Sequence, residues 1–286
     1  MPAPRVFQTE LFACFGQPVA ENPTQAMIEA AFRDMGLDWR YLTIEVAPEG
    51  LADAIRGLRA MGFRGANCTL PHKVAVMPHL DELTPTAQAI GAVNCIVRQG
   101  HRLLGENTDG KGFLQSVTAL GPVRGQRVVL LGAGGAARAI GVELLNAGAG
   151  FITVVNRDLQ RGEELLQRLA DLAPGKVALV PWHSDYVIPA DTHIIINATS
   201  IGLFPDVDAR VPIRVESLQP SMLVCDVIPN PPHTRLLQAA EQRGCRTLDG
   251  LGMLVNQGVI GIRLWAGRDP NPLVMRQALN EVFGTQ

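Results

Sequence analysis

The sequence predicts an α/β fold with two domains, each built around an open, mostly parallel sheet, with a cleft between them. Three observations lead to this prediction. The chain has 286 residues, which is more than one small domain needs. Short apolar runs alternate with helical patterns, an order typical of parallel sheets covered by helices. A glycine-rich stretch, GAGGAA, joins a buried apolar run to a helical pattern near the middle of the chain, as in a βαβ unit.

Strand and helix patterns alternate regularly in the first third of the chain. Runs of apolar, aromatic and β-branched residues predict strands, and the segments between them carry apolar residues at helical spacing. Pro48 favours a helix start at its position. Two further runs flank Gly100 and predict a hairpin. The predicted strands are 11–16, 39–46 and 65–70, the hairpin is 92–97 with 102–109, and the helices are 24–36 and 48–62.

The second part of the chain repeats this alternation around the glycine-rich stretch. Predicted strands are 128–131, 151–157, 193–200 and 222–228, and predicted helices are a segment ending near Gly148, then 159–172, 234–244, 250–267 and 271–283. We place the domain boundary near Asp109–Lys111 and expect the C-terminal helices to pack back on the first domain. The predicted domains are 1–108 completed by 251–286, and 109–250.

Composition and charge exclude several classes of function. The net charge of -2 gives no electrostatic basis for binding nucleic acid or an anionic membrane. No apolar run is long enough to span a membrane, and the N-terminal stretch lacks the apolar segment of a secretory signal. Five widely spaced cysteines without a CxxC pair predict reduced thiols rather than disulfides or metal ligands. We therefore expect a cytoplasmic protein with no metal site.

The stretch GAGGAA, residues 132–137, predicts a nucleotide-binding turn in a Rossmann-like domain. Gly132 permits the tight turn, Gly134 lets the backbone approach a pyrophosphate, and Ala137 allows close packing of the helix on the strand. The helix that follows offers free N–H groups and the positive end of its dipole to the phosphates. The alternative is a glycine turn without a ligand. The predicted cofactor-binding residues of this turn are Gly132, Ala133, Gly134, Gly135 and Ala136.

The end of the next strand, VVNRD, bears on the choice of nucleotide. NAD-selective sites usually have an acidic residue there that accepts from the ribose hydroxyls. Here Asn156 and Arg157 come first, and Arg161 lies one helical turn further on. Two guanidinium groups suit a 2′-phosphate, which favours NADP. Asp158 could instead accept from ribose hydroxyls, so NAD remains the alternative cofactor.

Polar residues follow several predicted strands of the first domain. Thr69, Lys73, Asn94 and Asp109 lie at or just after strand ends. Ligands of open α/β sheets bind outside the carboxyl ends of the strands. We therefore expect these side chains to converge on one cleft beside the nucleotide. Lys73 taken alone would be assigned to the surface, at the start of a helix.

Seven ordered motifs make the chain similar to the shikimate dehydrogenase family over nearly its whole length. They are N-x-T-x-P-x-K at 67–73, G-A-V-N at 91–94, N-T-D-G at 107–110, G-A-G-G-A-A-R-A at 132–139, Asn-Arg at 156–157, N-A-T-S-x-G at 197–202 and G-M-L-V-x-Q at 252–257. The resemblance implies a substrate domain, an NADP domain and a cleft between them. It also implies reversible hydride transfer between nicotinamide and a ring hydroxyl carbon of shikimate or a close cyclohexane or cyclohexene carboxylate.

The resemblance also assigns roles to residues. Lys73 and Asp109 correspond to the catalytic pair, which serves either as acid and base for the hydroxyl proton or as electrostatic stabilisation of the developing alkoxide. Further ligands follow from the matched motifs: Thr69, Asn94 and Gln257 for the substrate, and Asn156, Thr199 and Gly250 for the cofactor. The expected partner is a small ring carboxylate, and the chain is expected to be a monomer or a homodimer.

The family's N-terminal pattern G-x-P-x-x-H-S-x-S, whose two serines hold the substrate carboxylate, is rewritten in this chain. Asn22 and Thr24 stand at the serine positions, and Glu21 replaces a histidine. Asn22 and Thr24 still provide an amide and a hydroxyl donor, so we retain them as predicted substrate ligands. Pro229 stands where the family has a tyrosine that contacts substrate. These departures predict a divergent member of the family. Shikimate remains the expected substrate, and quinate or aminoshikimate, with NAD or NADP as cofactor, are the alternatives.

Two other classes of protein are considered. A methylene-tetrahydrofolate type dehydrogenase also uses a lysine, but the N-T-D-G motif together with Lys73 argues against that class. A ligand sensor of the same fold without turnover is the non-enzyme alternative. The presence of both Lys73 and Asp109 argues against a sensor.

Overall fold

The computed structural model describes residues 8–284, and these residues form two six-stranded sheets. Residues 1–7 and 285–286 lie outside the described part, so most of the stretch on which the expectation of no secretory signal rests is not covered. Within residues 8–284, no helix combines the length and the apolar character that a membrane crossing needs.

The first sheet is mixed and contains β1 Glu10–Gly16, β2 Trp39–Glu45, β3 Gly65–Cys68, β4 Glu82–Leu83, β5 Cys95–Gln99 and β6 Arg102–Glu106. Their order across the sheet is β2-β1-β3-β5-β6-β4. Strands β2, β1 and β3 run parallel, whereas β5 pairs antiparallel with β3 and with β6. The hairpin predicted around Gly100 is confirmed, and Gly100 has a positive φ of 62°. The helices in this part of the chain are α1 Thr24–Asp34, α2 Leu51–Ala60, α3 His72–Ala75 and α4 Pro85–Ile90.

The second sheet is entirely parallel and contains β7 Arg127–Leu131, β8 Phe151–Asn156, β9 Val177–Pro181, β10 Ile194–Asn197, β11 Leu223–Asp226 and β12 Arg246–Leu248. Their order across the sheet is β12-β11-β10-β7-β8-β9. This order confirms the predicted Rossmann-like sheet. Strands β9 and β12 were not predicted from the sequence, and neither were α3, β4, α4 and the ten-residue helix α5, Asp109–Thr118. The helices from residue 109 onward are α5 Asp109–Thr118, α6 Gly135–Asn146, α7 Leu159–Leu172, α8 Arg235–Gln242, α9 Gly250–Ala266 and α10 Pro272–Phe283.

Both faces of each sheet are covered by a hydrophobic core. Along β1, Phe12 belongs to one core cluster and its neighbour Ala13 to another. Along β7, Val128 and Val129 are divided between two clusters in the same way. Successive strand residues point to opposite faces, so this division shows that helices and loops bury both sides. Strands buried on both faces are expected to be continuously apolar, as these two are.

The C-terminal helices α9 and α10 pack against the first sheet. Trp265 of α9 is 8% exposed, and its indole Nε1 donates to the Ile96 carbonyl oxygen at 3.0 Å. The ring centroids of Trp265 and Phe12 are 4.8 Å apart, and Met275 of α10 is buried in the same cluster. The end of the chain therefore completes the core of its beginning.

Helix α5 lies between the two sheets and begins at the residue where we expected the domain boundary. Gly110 faces α6, where an added Cβ would strike the carbonyl of Ala139. Gly112 faces α9, where a Cβ would come within 2.7 Å of the Gln257 nitrogen and 2.9 Å of the Met253 oxygen. The boundary thus falls inside a packed helix rather than in a linker. The division into domains stays a prediction.

We expect Gly112→Ala to lower the free energy of unfolding by about 1–3 kcal/mol, because backbone atoms of α9 cannot move aside for the methyl group. Gly57→Ala is the matched control. Gly57 lies inside α2, and its nearest contact for a Cβ would be at 3.5 Å, so alanine there should raise the free energy of unfolding by about 0.5–1 kcal/mol. Denaturant unfolding of both variants tests this. Equal effects would contradict the close approach of α5 and α9.

Candidate active site

Lys73 and Asp109 form an ion pair at the carboxyl edge of the first sheet. Lys73 lies in α3, just after β3, and Asp109 is the first residue of α5, just after β6. The distance from Lys73 Nζ to Asp109 Oδ2 is 2.6 Å. The side chains are only 17% and 7% exposed. The expectation that these two residues converge on one cleft therefore agrees with the structure.

A buried hydrogen-bond network fixes the orientation of Asp109. Asn94 Nδ2 donates to Asp109 Oδ1 at 2.8 Å and to Thr108 Oγ1 at 3.0 Å. Asp109 N donates to Asn107 Oδ1 at 3.1 Å. Each carboxylate oxygen of Asp109 thus has a donor, one from Lys73 and one from Asn94. Asn94 itself is 3% exposed and lies behind Asp109, so in this structure it positions the carboxylate.

The glycine-rich turn after β7 has the shape that a dinucleotide pyrophosphate requires. Gly132 has a φ of 104°, in the region that favours glycine, and it packs against Ala198. Around Gly134, a Cβ would meet no described atom within 4 Å, so the turn opens onto free space. Helix α6 begins at Gly135 without a side-chain cap, which leaves its first N–H groups available to a phosphate. These features fit an NADP or NAD pyrophosphate.

The same turn contacts Lys73 of this ion pair. A Cβ built on Gly135 would lie 3.2 Å from Lys73 Cδ, so the alkyl chain of Lys73 packs directly on the nucleotide-binding turn. The two sheets therefore place the ammonium group and the expected cofactor position side by side.

The structure shows what Asp158, at the end of β8, contacts, and this bears on the choice between NAD and NADP. Asp158 is the N-cap of α7, and its carboxylate accepts from Arg161 N at 3.1 Å. It also lies 3.5 Å from Arg161 Nε. The carboxylate is thus engaged in capping and partly neutralised. Arg157 is exposed on the cleft wall and makes no ion pair within residues 8–284. This arrangement favours a 2′-phosphate over a free ribose hydroxyl.

A cavity of ≈ 400 Å³ separates the two sheets and contains these features. Most of the predicted site residues line it: Asn22, Thr69, Lys73, Asp109, Gly132, Ala133, Gly134, Gly135, Ala136, Asn156, Arg157, Arg161, Thr199, Gly250 and Gln257. Thr24, Asn94 and Asp158 lie outside its wall. Asn94 and Asp158 act on wall residues through the hydrogen bonds described above, and Thr24 is buried with 4% exposure.

Several wall residues were not predicted as ligands. They are Pro18, Pro23, Leu70, Trp182, Ala198, Ser200, Leu203, Val227, Ile228, Asn230, Met253 and Leu254. Trp182 follows β9, and its backbone nitrogen donates to Asn156 O at 3.0 Å. Only the prediction of β9 could have pointed to Trp182. The short run VALVP of β9 is held in place by its pairing with β8. Leu203 and Asn230 lie on loops without a local pattern.

Asp226, at the end of β11, belongs to a hydrogen-bond network behind the part of the cleft wall that the second sheet forms. It is 1% exposed and accepts from Thr234 Oγ1 at 2.8 Å and from Asn197 Nδ2 at 3.1 Å. Burial raises the pKa of this carboxyl from 3.8 to about 6, although the surrounding donors oppose the shift. Asn197 Oδ1 accepts in turn from the Thr199 hydroxyl at 2.6 Å. The network therefore fixes Thr199 at the cleft.

The fold and the site together define a two-sheet oxidoreductase with a dinucleotide turn facing a lysine–aspartate pair. Comparison with family models agrees. Residues 14–96 match the shikimate dehydrogenase substrate binding domain. Residues 116–220 match the shikimate / quinate 5-dehydrogenase model, and residues 250–279 match the shikimate 5'-dehydrogenase C-terminal domain.

Known relatives extend over the full length of the chain. The NADP(+) shikimate dehydrogenase of Moorella thermoacetica is 42% identical over 283 residues, 96% of this chain and 94% of the relative. The solved 5-ketofructose reductase of Gluconobacter sp. strain CHM43 is 50% identical with a TM-score of 0.88, and the match covers 97% of this chain and 100% of that one. The Thermus thermophilus shikimate 5-dehydrogenase, solved with NADP(H) and shikimate, is 36% identical with a TM-score of 0.85, over 96% and 99%.

The chain therefore belongs to the shikimate dehydrogenase family, and it is an oxidoreductase of that type. These findings confirm the predicted family, enzyme class and NADP cofactor, and they contradict the sensor alternative. The two-sheet fold is shared with relatives that bear different substrate names.

We expect Arg157→Ala to raise the KM for NADP by roughly 10- to 100-fold, because the variant loses one charge-assisted hydrogen bond to the 2′-phosphate. The KM for NAD should change little. Arg214→Ala is the control, since Arg214 is also exposed but lies outside the cleft. Steady-state kinetics with both nucleotides provides the measurement. An equal change of both KM values would show that Arg157 does not contact the phosphate.

The raised pKa of Asp226 predicts a pH-dependent stability. Its folded-state pKa of about 6 lies above the ordinary value of 3.8. Between these values the unfolded chain has released a proton that the folded protein still holds, so the stability contributed by Asp226 falls as pH rises. Relative to Asp226→Asn, the free energy of unfolding should fall by up to about 3 kcal/mol across this window. Denaturant unfolding at several pH values measures the difference, and a constant difference would contradict the prediction.

Proposed function

We propose that this protein catalyses the reversible, NADP-dependent interconversion of a secondary alcohol and a ketone on a small polyhydroxylated substrate, with Lys73 and Asp109 as the catalytic pair. The observation that carries the proposal is the 2.6 Å contact between Lys73 Nζ and Asp109 Oδ2, directly against the glycine turn at Gly135. Proton and hydride chemistry need to occur side by side in such a reaction, and this geometry supports that arrangement.

When bound, NADPH supplies the hydride for the carbonyl carbon. The chain supplies the proton and the orientation. In the direction of reduction, the Lys73 ammonium group donates a hydrogen bond and then a proton to the carbonyl oxygen. Its positive charge also stabilises the alkoxide as it develops. Asp109 holds the ammonium group in place and accepts from the substrate hydroxyl. Gln257 and Thr69, both on the cleft wall, provide further polar groups for substrate hydroxyls.

Two substrates are candidates. Shikimate, with its ketone 3-dehydroshikimate, is supported by the full-length curated relatives at 38–42% identity. The compound 5-ketofructose is supported by the solved reductase at 50% identity. The replacements at Glu21, Asn22 and Pro229 favour the second candidate, because they alter the end of the cleft that the family resemblance assigns to the carboxylate. Cytoplasmic location and the monomeric or dimeric state stay predictions.

We expect Lys73→Ala and Asp109→Ala each to lower kcat by about 10²–10⁴-fold, the usual cost of losing a general acid or base. The Kd for NADP should change far less. Lys176→Ala is the control, because Lys176 is exposed and lies outside the cleft. Kinetics and circular dichroism of the purified variants test this. A correctly folded Lys73 or Asp109 variant with near-normal turnover would overturn the assignment.

The substrate question is tested by following NADPH oxidation with 3-dehydroshikimate and with 5-ketofructose under identical conditions. A value of kcat/KM of roughly 10⁴ M⁻¹s⁻¹ or more with one of them identifies the physiological class. No turnover with either ketone, in protein that binds NADPH, would count against the proposed reaction.

A further inference from the structure

We propose that Glu21, together with Asn22, makes the cleft selective for uncharged polyhydroxylated substrates by repelling carboxylates and accepting hydrogen bonds from hydroxyl groups. This inference rests on the proposed function and names its substrate class. It concerns the first-sheet wall of the cleft, defined here as Pro18, Glu21, Asn22, Pro23, Thr69, Leu70, Lys73 and Asp109.

The charges along the cleft are unevenly distributed. Arg157 and Arg161 belong to the nucleotide side, where the second sheet ends. On the first-sheet wall the only cation is Lys73, and Asp109 neutralises it at 2.6 Å. Glu21 then leaves that wall with a net charge of about -1. A substrate carboxylate placed there would meet no unpaired cation among the described residues, and it would meet one unpaired anion.

One of the first backbone donors of α1, next to this wall, is already used. Helix α1 begins at Thr24, and the first N–H groups of a helix favour negative charge. Asn22 Oδ1 accepts from Thr24 N at 3.0 Å. A neutral amide oxygen of the protein thus takes up this N–H group, which is then not available to a substrate carboxylate. The Asn22 amide nitrogen has no partner among the described residues and remains available to a hydroxyl.

Glu21 is placed where it can act on the substrate. The loop that carries it follows β1, and Gln17 N donates to Leu70 O at 2.9 Å, so this loop lies beside the loop that carries Thr69. Glu21 is half-buried and makes no ion pair within residues 8–284. A carboxylate with this exposure accepts hydrogen bonds from substrate hydroxyls. Its charge is therefore available both to bind a polyol and to repel an acid.

The test uses two probes with the same ring, shikimate and its methyl ester, which differ in one negative charge. We expect the wild-type enzyme to oxidise the ester with a higher kcat/KM than the acid. Glu21→Gln should raise kcat/KM for the acid by roughly 10- to 100-fold, the size expected for removing a nearby like charge. The value for the ester should stay the same or fall. Added salt should raise kcat/KM for the acid in the wild type and much less in Glu21→Gln, because salt screens the repulsion.

Glu49→Gln is the matched control. It removes the same charge from an exposed position outside the cleft, and it should leave the ratio of acid to ester unchanged. Asn22→Ala is the second variant, which removes the acceptor from Thr24 N and should raise kcat/KM for the acid further when combined with Glu21→Gln. An acid-to-ester ratio that is the same in the wild type, Glu21→Gln and Glu49→Gln would overturn the inference. Absence of NADP reduction with every alcohol, and of NADPH oxidation with both ketones, would instead overturn the proposed function.

Discussion

The close packing of α5 between α6 and α9 is the constraint on which the rest of the molecule depends. Gly110 and Gly112 let the backbone of one helix touch the backbones of two others, and these neighbours belong to opposite halves of the molecule. Protein interiors are packed tightly enough that one methyl group at such a contact is felt. Because Asp109 is the first residue of α5, the position of its carboxylate is set by this packing and not by a mobile loop.

The ion pair gains from that rigidity. Taking a lysine and an aspartate out of water costs free energy that their attraction recovers only when the geometry is good and the remaining lone pairs are satisfied. Asn94 satisfies the second oxygen of Asp109, and the Lys73 alkyl chain is packed on Gly135. The arrangement therefore keeps an ammonium group at a fixed point beside the nucleotide turn, which is what transition-state stabilisation requires. A buried ion pair contributes little net free energy to folding, so a functional role accounts for the Lys73–Asp109 pair better than a stabilising one.

The sequence was sufficient for the parts of the fold that are encoded locally. Strands such as β7 and helices such as α7 have strong periodicity, and the glycine turn after β7 has its own backbone requirement. Short elements were missed, and so was the ten-residue helix α5, because Gly110 and Gly112 weaken its local helical signal. Strand β9 is held by its pairing with β8, so its run VALVP carries little local signal, and Trp182 was missed with it. Asn94 and Thr24 were predicted as ligands because sequence shows residue type and order, whereas their burial behind the cleft wall depends on tertiary packing.

The two ends of the cleft differ in charge. A nucleotide with three phosphates' worth of negative charge needs cations, and Arg157 and Arg161 lie at the second sheet for that purpose. If the first-sheet wall were also cationic, the dinucleotide and an anionic substrate would compete for both ends. Glu21 gives the two ends of the cleft opposite net charges, so a cofactor with its phosphates is attracted to one end only.

The charge of Glu21 also excludes acids from the substrate end of the cleft, since a long-range repulsion in a partly buried cleft is weakly screened. Discrimination of this kind requires no change in Lys73 or Asp109, because it acts through the loop that follows β1.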